Sequence, residues 1–381
     1  MRITGVICEY NPLHLGHKKQ LDLIRAQNPG GGIVCLMSGD YVQRGQPALF
    51  HKMLRAKAAV SCGADLVLEL PVTAALSSAE GFAAGGVSIL GGFCDDLCFG
   101  GETADREGFL HTAELLLSET FPSALRKELD KGLSFPAARE NALLALGGDA
   151  TLVTSPNNIL GVEYCKAILQ QKSKMQPMPI LRQGSYHETE ADPENPSATA
   201  VRQYMLDGNA WQSLVPPEAR QLFTDAPLHT LSAGERAVLA RLRCMTEAEF
   251  EALPYGSEGL WRKLMHAVRS GGSLEDILSD TKSKRYTRSR LDRMVLCAFL
   301  GIDKTLLEAP APYTRVLALN DRGREILKLA RSTGSFPNIG ETILHPYQEL
   351  ENRCGDLYGL FCENAPEPAG SESACRVYYQ Q

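Results

Sequence analysis

Two histidines three positions apart, His14 and His17, are the residues of this chain whose types and spacing best suit chemistry. On the first turn of a helix, residues three apart share a face, and free backbone N–H groups and the positive end of the helix dipole gather there. Two imidazoles beside them can donate hydrogen bonds to phosphate oxygens without a metal ion. Gly16 between them leaves room for a base or a phosphate against the backbone. The segment therefore predicts a nucleotide site.

The elements that must position this site are a buried strand at 3–8 and a helix that begins after Asn11-Pro12. Further apolar segments predict helices at 52–61 and 79–90, and strands at 33–37, 66–70, 97–99 and 179–181. That alternation favours an α/β fold with a parallel, doubly wound sheet. In such sheets the ligand crevice lies beyond the carboxyl ends of the strands, so binding residues are expected in the turns that follow them.

The turn after the second strand carries a carboxylate, an amide and a guanidinium, from Asp40, Gln43 and Arg44. A small anionic substrate would be held well here, because the planar fork of Arg44 matches a carboxylate or phosphate and Gln43 can orient it. A plain solvated turn is the alternative interpretation. Lys52 and Lys57 on the next helix are expected at the surface.

Residues from three later segments complete the predicted nucleotide site. Gly100 follows the fourth strand and lets the backbone approach a ligand closely, as recognition of adenine or ribose needs. Asn157 and Asn158 open a helix, where either amide can cap the helix or contact the nucleotide, and the sequence leaves that choice open. Arg202 lies at another helix start, which predicts a second phosphate clamp.

The chain length, the net charge and the number and spacing of the cysteines limit the classes of protein to which this chain can belong. A chain of 381 residues predicts two domains, and we expect the boundary between 207 and 208, where helical patterns replace strand patterns. The net charge of -6 excludes a uniformly basic nucleic-acid coat but allows a local basic patch. Eleven scattered cysteines without a C-x-x-C pair indicate a reduced, cytoplasmic protein and predict no metal site. The longest uncharged segment, 81–94, is too short to span a membrane.

One basic cluster stands out in the helical second half. Tyr286 lies in its middle, and its members are Lys282, Lys284, Arg285, Arg288, Arg290 and Arg293. Neutralising phosphates supplies most of the affinity for nucleic acid, and the tyrosine can stack on an unpaired base. The cluster therefore predicts an RNA-backbone contact, with a solvated helix start as the alternative.

These motifs together resemble a known family. The segment Glu9-Tyr10-Asn11-Pro12 with His-x-Gly-His, the turn Gln43-Arg44-Gly45, Glu69-Leu70-Pro71, Pro156-Asn157-Asn158 and the Ser-x-Thr-x-x-Arg helix start are similar to those of bacterial tRNA(Met) cytidine acetate ligases. The resemblance implies a Rossmann-like sheet of nucleotidylyltransferase type in 1–207, followed by a mainly α-helical, tRNA-binding domain in 208–381. It also implies that acetate is activated by ATP as acetyl-adenylate, with release of pyrophosphate, and that the acetyl group passes to N4 of the wobble cytidine of elongator tRNA(Met).

The resemblance also implies residue roles. Gly100, Asn157 and Arg182 would complete a nucleotide site formed by Ile7, Cys8, Glu9, Tyr10, Asn11, Pro12, Leu13, His14, Leu15, Gly16, His17, Lys18, Lys19 and Gln20. Acetate is ionised at neutral pH, so the site needs no general base; it must position the reactants and stabilise negative charge. We expect His17 to stabilise the transition state, His14 to bind phosphate and Arg202 to assist, with Mg²⁺ on the phosphates.

Other functions fit parts of the same sequence. A nucleotidylyltransferase acting on a phosphorylated small molecule would use the same histidines but would leave the basic cluster unexplained. A class I aminoacyl-tRNA synthetase would need a Lys-Met-Ser-Lys-Ser-type loop, and residues 281–284 resemble such a loop only superficially. A non-catalytic ATP- and RNA-binding protein is the third alternative. Residues 363–381, rich in Pro, Ser and Glu, are expected to be disordered.

Overall fold

A central β-sheet organises the first half of the chain. The structure is a computed structural model that describes residues 1–182, 195–283 and 285–381. Its strands are β1 (Ile3–Cys8), β2 (Gly32–Ser38), β3 (Tyr41–Val42), β4 (Gln46–Pro47), β5 (Leu66–Leu70), β6 (Asp96–Gly101), β7 (Gln176–Leu181), β8 (Val316–Leu319) and β9 (Tyr378–Tyr379).

Helices occupy most of the remaining chain. In the first half they are α1 (Leu15–Gln27), α2 (Lys52–Ser61), α3 (Val72–Ala75), α4 (Ala79–Leu90), α5 (Arg106–Leu117), α6 (Phe121–Leu129), α7 (Phe135–Ala145), α8 (Pro156–Gln170) and α9 (Ala198–Leu206). In the second half they are α10 (Pro217–Thr224), α11 (Leu231–Cys244), α12 (Glu247–Glu251), α13 (Leu260–Ser270), α14 (Leu274–Thr281), α15 (Arg288–Leu300), α16 (Lys304–Glu308), α17 (Asp321–Ala330), α18 (Pro346–Tyr358) and α19 (Ser371–Ala374). Short 3₁₀ helices cover Ala150–Val153, Gln212–Leu214, Ser257–Gly259 and Gly359–Phe361.

Within these described ranges, seven strands form one sheet in the order β7-β6-β1-β2-β5-β8-β9. Strands β7, β6, β1, β2 and β5 are parallel, as the alternation of strands and helices predicts. Strand β8 pairs antiparallel with β5, and β9 adds to β8. The predicted doubly wound sheet is confirmed, and its far edge comes from the second half of the chain.

Alternate side chains of the strands pack into cores on the two faces of the sheet. Val34 and Leu36 of β2 belong to one core with residues of α4, α5, α8 and α17, whereas Cys35 and Met37 belong to the other with residues of α1, α2, α9 and α10. Helices on both faces explain why these strands are apolar at nearly every position. A third core joins α11, α13, α14, α15 and α18, and it also includes Tyr41 and Leu76 from the first half.

The second half differs from the expectation in two respects. It supplies β8 and β9 to the sheet, across the predicted boundary at 207/208. The expectation that 363–381 is disordered is wrong, because this segment holds α19, β9 and the buried side chain of Glu372. In the described part of the chain, no helix is both long and apolar enough to cross a membrane.

Candidate active site

A cleft of about 1070 Å³ opens at the carboxyl ends of β1 and β6. These strands are neighbours, while β2 lies on the other side of β1. The cleft therefore lies at the topological switch point, where open α/β sheets bind their ligands. Small-molecule sites usually measure ~300–1,000 Å³, so this one has room for a nucleotide and part of a second substrate.

The side chains of both histidines accept backbone hydrogen bonds at the start of α1. Nδ1 of His14 accepts the N–H of Gly16 at 3.1 Å, and Nδ1 of His17 accepts the N–H of His14 at 3.3 Å. This reciprocal pair satisfies free donors of the helix start and brings the ring centroids to 3.8 Å. Because Nδ1 is the acceptor in each ring, a neutral imidazole carries its proton on Nε2. Both rings line the cleft, so each offers one Nε2–H donor.

Burial keeps these imidazoles neutral. Burial, together with the charge of Arg182, lowers the pKa of His17 to about 3. Burial also lowers the pKa of His14 well below its ordinary value, with His17, Arg182 and Arg202 contributing. The histidines therefore act as hydrogen-bond donors without charge at neutral pH. Positive charge in the cleft therefore comes from lining residues such as Arg182 and Arg202 and not from the histidines.

Most of the predicted nucleotide segment lines the cleft. The lining residues from 7–20 are Ile7, Cys8, Glu9, Tyr10, Asn11, His14, Gly16, His17, Lys19 and Gln20. Four members of the segment do not line it: Leu13 is fully buried in the core, Lys18 pairs with Asp22 at 2.5 Å, and Pro12 and Leu15 lie outside the lining.

A second wall of the cleft combines the end of β6 with the start of α8. Arg182 donates to Oδ1 of Asn157 at 2.9 Å, and both side chains line the cleft beside Gly100. A Cβ on Gly100 would lie 2.9 Å from Cγ of Arg182, so the glycine lets the arginine lie against the strand. Arg182, Gly100 and Asn157 are thus brought together as the sequence predicts.

Glu102 binds both asparagines and holds only one of them in the cleft lining. Its carboxylate accepts from Nδ2 of Asn157 at 2.8 Å, from Oγ of Ser155 at 2.6 Å and from the N–H of Asn158 at 3.1 Å. The Asn158 side chain is buried, and its Oδ1 accepts the N–H of Glu102 at 2.9 Å. Asn157 therefore lines the cleft and Asn158 ties the strand to the helix. The sequence analysis missed Glu102, although its position two residues after Gly100 was a usable signal.

An apolar wall of the cleft was also missed. It consists of Phe82, Phe99, Leu160, Tyr164 and Ile180, from α4, β6, α8 and β7. Apolar and aromatic surfaces of this kind suit the flat face of a base. The sequence gives no signal for it, because each residue has the same type as its core neighbours and only tertiary packing turns it to the cleft.

Arg202 connects α9 to the nucleotide segment. It donates to the carbonyl oxygen of Asn11 at 2.6 Å and to Oγ1 of Thr199 at 3.1 Å. Ser197 caps the helix by accepting the N–H of Ala200 at 3.1 Å. The arginine of the predicted second clamp therefore lies in the same cleft as the histidines. Two neutral oxygens hold its guanidinium, so these contacts do not cancel its positive charge.

The turn between β3 and β4 forms another part of the lining. Gln43 and Arg44 both line the cleft. The N–H of Gln43 donates to Oε1 of Glu9 at 2.7 Å, and its carbonyl oxygen accepts from Arg293 at 3.2 Å. Gln43 thus joins the nucleotide segment to α15 of the helical half.

Asp40 does not line the cleft. It is buried, accepts the N–H of Lys52 at 2.9 Å and pairs with the Lys52 ammonium at 3.2 Å. Burial alone would raise the pKa of Asp40, but the charges of Lys52, His51 and Arg55 lower it below its ordinary value. The geometry gives no support to the prediction that Asp40 holds substrate. The expectation that Lys52 lies at the surface is wrong, since its side chain is buried among carboxylates.

The Asp40–Lys52 pair belongs to a buried ionic network beneath the turn. Lys52 also contacts Glu69 at 3.1 Å and Glu372. Arg315 binds Glu69 at 2.7 Å, Glu351 at 3.3 Å and Glu372 at 2.8 Å. Because breaking a buried ion pair leaves an uncompensated charge, this network holds the segment around Glu372 firmly against the first half of the chain.

The predicted basic cluster is divided between the cleft and the surface. Arg288 lines the cleft while pairing with Asp292 at 2.9 Å and Glu275 at 2.7 Å, and buried Arg293 lines it too. Arg290 donates to the carbonyl oxygen of Tyr255 at 2.8 Å. Outside the cleft lining, Arg285 is exposed and pairs with Glu258 at 2.9 Å, and Lys282 is exposed. Lys284 lies outside the described residues.

A strand, a histidine-capped helix and a nucleotide-sized cleft at a switch point define a nucleotidyl transferase. The sequence profile described as HIGH Nucleotidyl Transferase matches residues 1–372. Two curated relatives named tRNA(Met) cytidine acetate ligase are 37% and 36% identical to this chain. The one from Alkaliphilus metalliredigens covers 96% of this chain and 95% of its own length, and the one from Clostridium novyi covers 88% and 89%.

Solved structures agree with these relatives. The crystal structure of Thermotoga maritima TmcAL in its apo form superposes with a TM-score of 0.90 at 29% identity, covering 100% of both chains. The crystal structure of the same protein bound with alpha-thio ATP superposes with a TM-score of 0.87. The chain therefore belongs to the tRNA(Met) cytidine acetate ligase family.

Proposed function

We propose that this protein is an ATP-dependent tRNA acetate ligase. It joins acetate to the α-phosphate of ATP with release of pyrophosphate, then passes the acetyl group to N4 of the wobble cytidine of elongator tRNA(Met), forming N4-acetylcytidine. The observation that carries the proposal is the reciprocal capping pair of His14 and His17, which fixes two neutral Nε2–H donors in a nucleotide-sized cleft. Donors held in advance suit a reaction whose charge develops on phosphate oxygens.

The chain contributes position and positive charge to the first step. Acetate is already ionised at neutral pH and needs no general base, so the barrier is the approach of one anion to another. In the proposal, His17 donates to the α-phosphate oxygens in the transition state and His14 holds a neighbouring phosphate. Arg182 and Arg202 supply the charge, and the apolar wall with Phe99 takes the base.

Acetate is proposed to bind beside Gln43 and Arg44. Both residues line the cleft next to the nucleotide segment, and a guanidinium matches a carboxylate geometrically. Asp40 has no part in this proposal, because its carboxylate is occupied by Lys52.

The start of α15 is proposed to receive the tRNA. Thr287, Arg288, Ser289, Asp292 and Arg293 line the cleft from the helical half, so the anticodon nucleotide would reach the acetyl-adenylate past polar side chains of this helix start. Lys282, Lys284, Arg285 and Arg290 would contact neighbouring phosphates of the anticodon stem. A tRNA substrate fits a cytoplasmic protein.

Mg²⁺ is proposed to arrive on the ATP phosphates. Among the described residues that line the cleft, the carboxylates are Glu9 and Asp292, which already bind the Gln43 N–H and the Arg288 guanidinium. Magnesium usually keeps several waters and binds through one or two carboxylates plus phosphates. These occupied carboxylates do not form a protein cage for the ion, so its ligands would be mainly phosphate oxygens and water.

The deciding experiment is pyrophosphate release from ATP with acetate, with and without elongator tRNA(Met), followed by nucleoside analysis of the tRNA. We expect acetate-dependent release and N4-acetylcytidine in the tRNA. Release only with a phosphorylated small molecule would move the protein to the nucleotidylyltransferases that act on such substrates. Binding of ATP and tRNA without any release would make it a binding protein.

A further inference from the structure

His229 is a buried histidine that lies outside the cleft lining and takes no part in the proposed reaction. His229 is 2% exposed, and among the described residues neither of its ring nitrogens has a hydrogen-bond partner. Its Nε2 lies 3.4 Å from Oε2 of Glu367, beyond ordinary hydrogen-bond distance. A buried polar group without a partner is costly and calls for an explanation such as an ion.

Two further metal-ligand types surround this imidazole. Cys362 is a buried free thiol, and the side chain of Glu367 is 36% exposed. Donor atoms of His229, Cys362 and Glu367 all lie within 4.8 Å of one another. In a tetrahedral zinc site, Zn–N and Zn–S bonds of about 2.0–2.3 Å put the ligand atoms roughly 3.3–3.8 Å apart, so small side-chain movements would close the triangle around an ion.

The backbone holds these ligands in place. His229 and Cys362 face each other in an antiparallel bridge. Main-chain N–H groups of His229 and Glu367 donate to the carbonyl oxygens of Leu49 and Gly359 at 2.9 and 3.0 Å. The His229 ring also stacks on Tyr358 with centroids 4.1 Å apart. A site with such fixed ligands loses little conformational freedom when it binds an ion.

We propose that His229, Cys362 and Glu367 bind Zn²⁺, with water as the fourth ligand. A mixed nitrogen, sulfur and oxygen donor set suits zinc, whereas magnesium and calcium prefer oxygen donors alone. On binding, the Cys362 thiol loses its proton to solvent, and the thiolate and the Glu367 carboxylate together neutralise the ion. The partly exposed side of Glu367 leaves access for the water.

Such an ion would be structural. It would join residues 359–367 to the segment of His229, which is bonded to Leu49 of the catalytic half. Glu367 lies five residues before Glu372, which enters the buried ionic network. The sequence did not predict this site, because its ligands come from two segments 133 positions apart (362 minus 229) and include no paired cysteines.

The test is metal analysis of the whole chain purified without chelator, together with a Co²⁺ titration of the metal-free chain. We expect one zinc per chain, a thiolate-to-cobalt charge-transfer band, and a lower melting temperature after chelation, since an ion that binds only the folded state stabilises it. Loss of one ligand in Cys362→Ser should weaken binding by roughly a hundredfold or more, because even outer-shell partners are worth about 10–100-fold.

The matched control is Cys297→Ser, which alters a fully buried thiol outside the cluster. This variant should keep both the zinc and the cobalt band. Absence of retained zinc together with absence of a cobalt band in the unmodified chain would overturn the proposal. An unchanged band in Cys362→Ser would overturn it as well. The titration of the unmodified chain decides the matter even if a variant fails to fold.

Discussion

At the scale of single residues, the two histidines of the cleft are held as neutral hydrogen-bond donors. Their Nδ1 atoms cap α1, so the helix start fixes the rings and their tautomer before any ligand binds. Burial then lowers the pKa of both side chains. The result is a pair of oriented donors whose protonation does not change near neutral pH.

Replacing His17 with Ala should lower the rate of acetyl-adenylate formation by roughly a hundredfold or more, the usual effect of removing one donor to a developing oxyanion. Acetate-dependent pyrophosphate release measures it. His51→Ala is the matched control, because His51 also caps a helix through Nδ1, accepting the N–H of Met53 at 3.2 Å, but lies outside the cleft lining. Near-normal release in the His17 variant would refute the role.

Replacing each of the two neighbouring asparagines, Asn157 and Asn158, should change a different property of the protein. Asn157→Ala removes the partner of Arg182 in the cleft and should raise the KM for ATP by about tenfold, as expected for losing a hydrogen bond to a charged group. Asn158→Ala removes the oxygen that accepts the N–H of Glu102 and should cost about 0.5–1.5 kcal/mol of stability, the net contribution of one hydrogen bond. Steady-state kinetics and urea unfolding of both variants test this. A larger change in KM for the Asn158 variant would reverse the assignment.

At the scale of elements, the contact between the β3–β4 turn and α15 links the two halves of the cleft. Gly45 has φ +78°, and a Cβ there would lie 2.4 Å from the backbone nitrogen of Arg293. Gln43 adds its hydrogen bond to the same arginine. A turn that carries proposed acetate ligands is therefore packed directly on the helix proposed to receive tRNA.

Gly45→Ala should move this turn away from α15. We expect acetate-dependent pyrophosphate release and acetyl transfer to tRNA both to fall at least tenfold, because the turn carries the proposed acetate-binding residues and packs on the helix proposed to receive tRNA. Gly132→Ala is the control: Gly132 has φ +82° but nothing within 4 Å of an added Cβ. That control should show only the ~1–2 kcal/mol cost of a left-handed alanine in urea unfolding. Equal losses in both variants would contradict the packing argument.

The sequence predicted the elements that are long and periodic. The strand at Ile3–Cys8 and the helices at Lys52–Ser61 and Ala79–Leu90 agree with the observed bounds, since apolar runs and helix caps are local signals. Strands β8 and β9 span only four and two residues and lie in a half of the chain dominated by helical patterns, so the sequence did not single them out. The cleft's apolar wall and the buried position of Lys52 were unpredictable because both depend on which distant residues pack against them.

At the scale of the whole molecule, the halves share one buried ionic network. The network draws residues from both halves of the chain: Asp40, Lys52, Glu69, Arg315, Glu351 and Glu372. Burial raises the pKa of Glu351 to about 7, with Glu69 adding to the shift and Arg315 opposing it. One carboxyl of the network therefore titrates in the neutral range.

Glu351 should make stability depend on pH. Its folded pKa lies above the unfolded value, so its contribution is complete below about pH 4.5 and is lost as the pH rises through about 7. The unfolding free energy should fall between pH 5 and pH 8. In Glu351→Gln this fall should be smaller by about 1–3 kcal/mol. Urea titrations at both pH values measure the difference. An unchanged pH dependence in this variant would exclude Glu351 as its source.

The late position of Glu372 and β9 in the chain has a consequence for synthesis on the ribosome. Lys52 and Arg315 emerge long before Glu372, which later contacts both of them. Until residue 379 has left the exit tunnel, the sheet lacks its last strand and two buried cations lack one of their carboxylates. A nascent or prematurely terminated chain therefore displays an incomplete core that chaperones and proteases recognise. We therefore expect resistance to proteolysis only once the segment that holds Glu372 and β9 has docked.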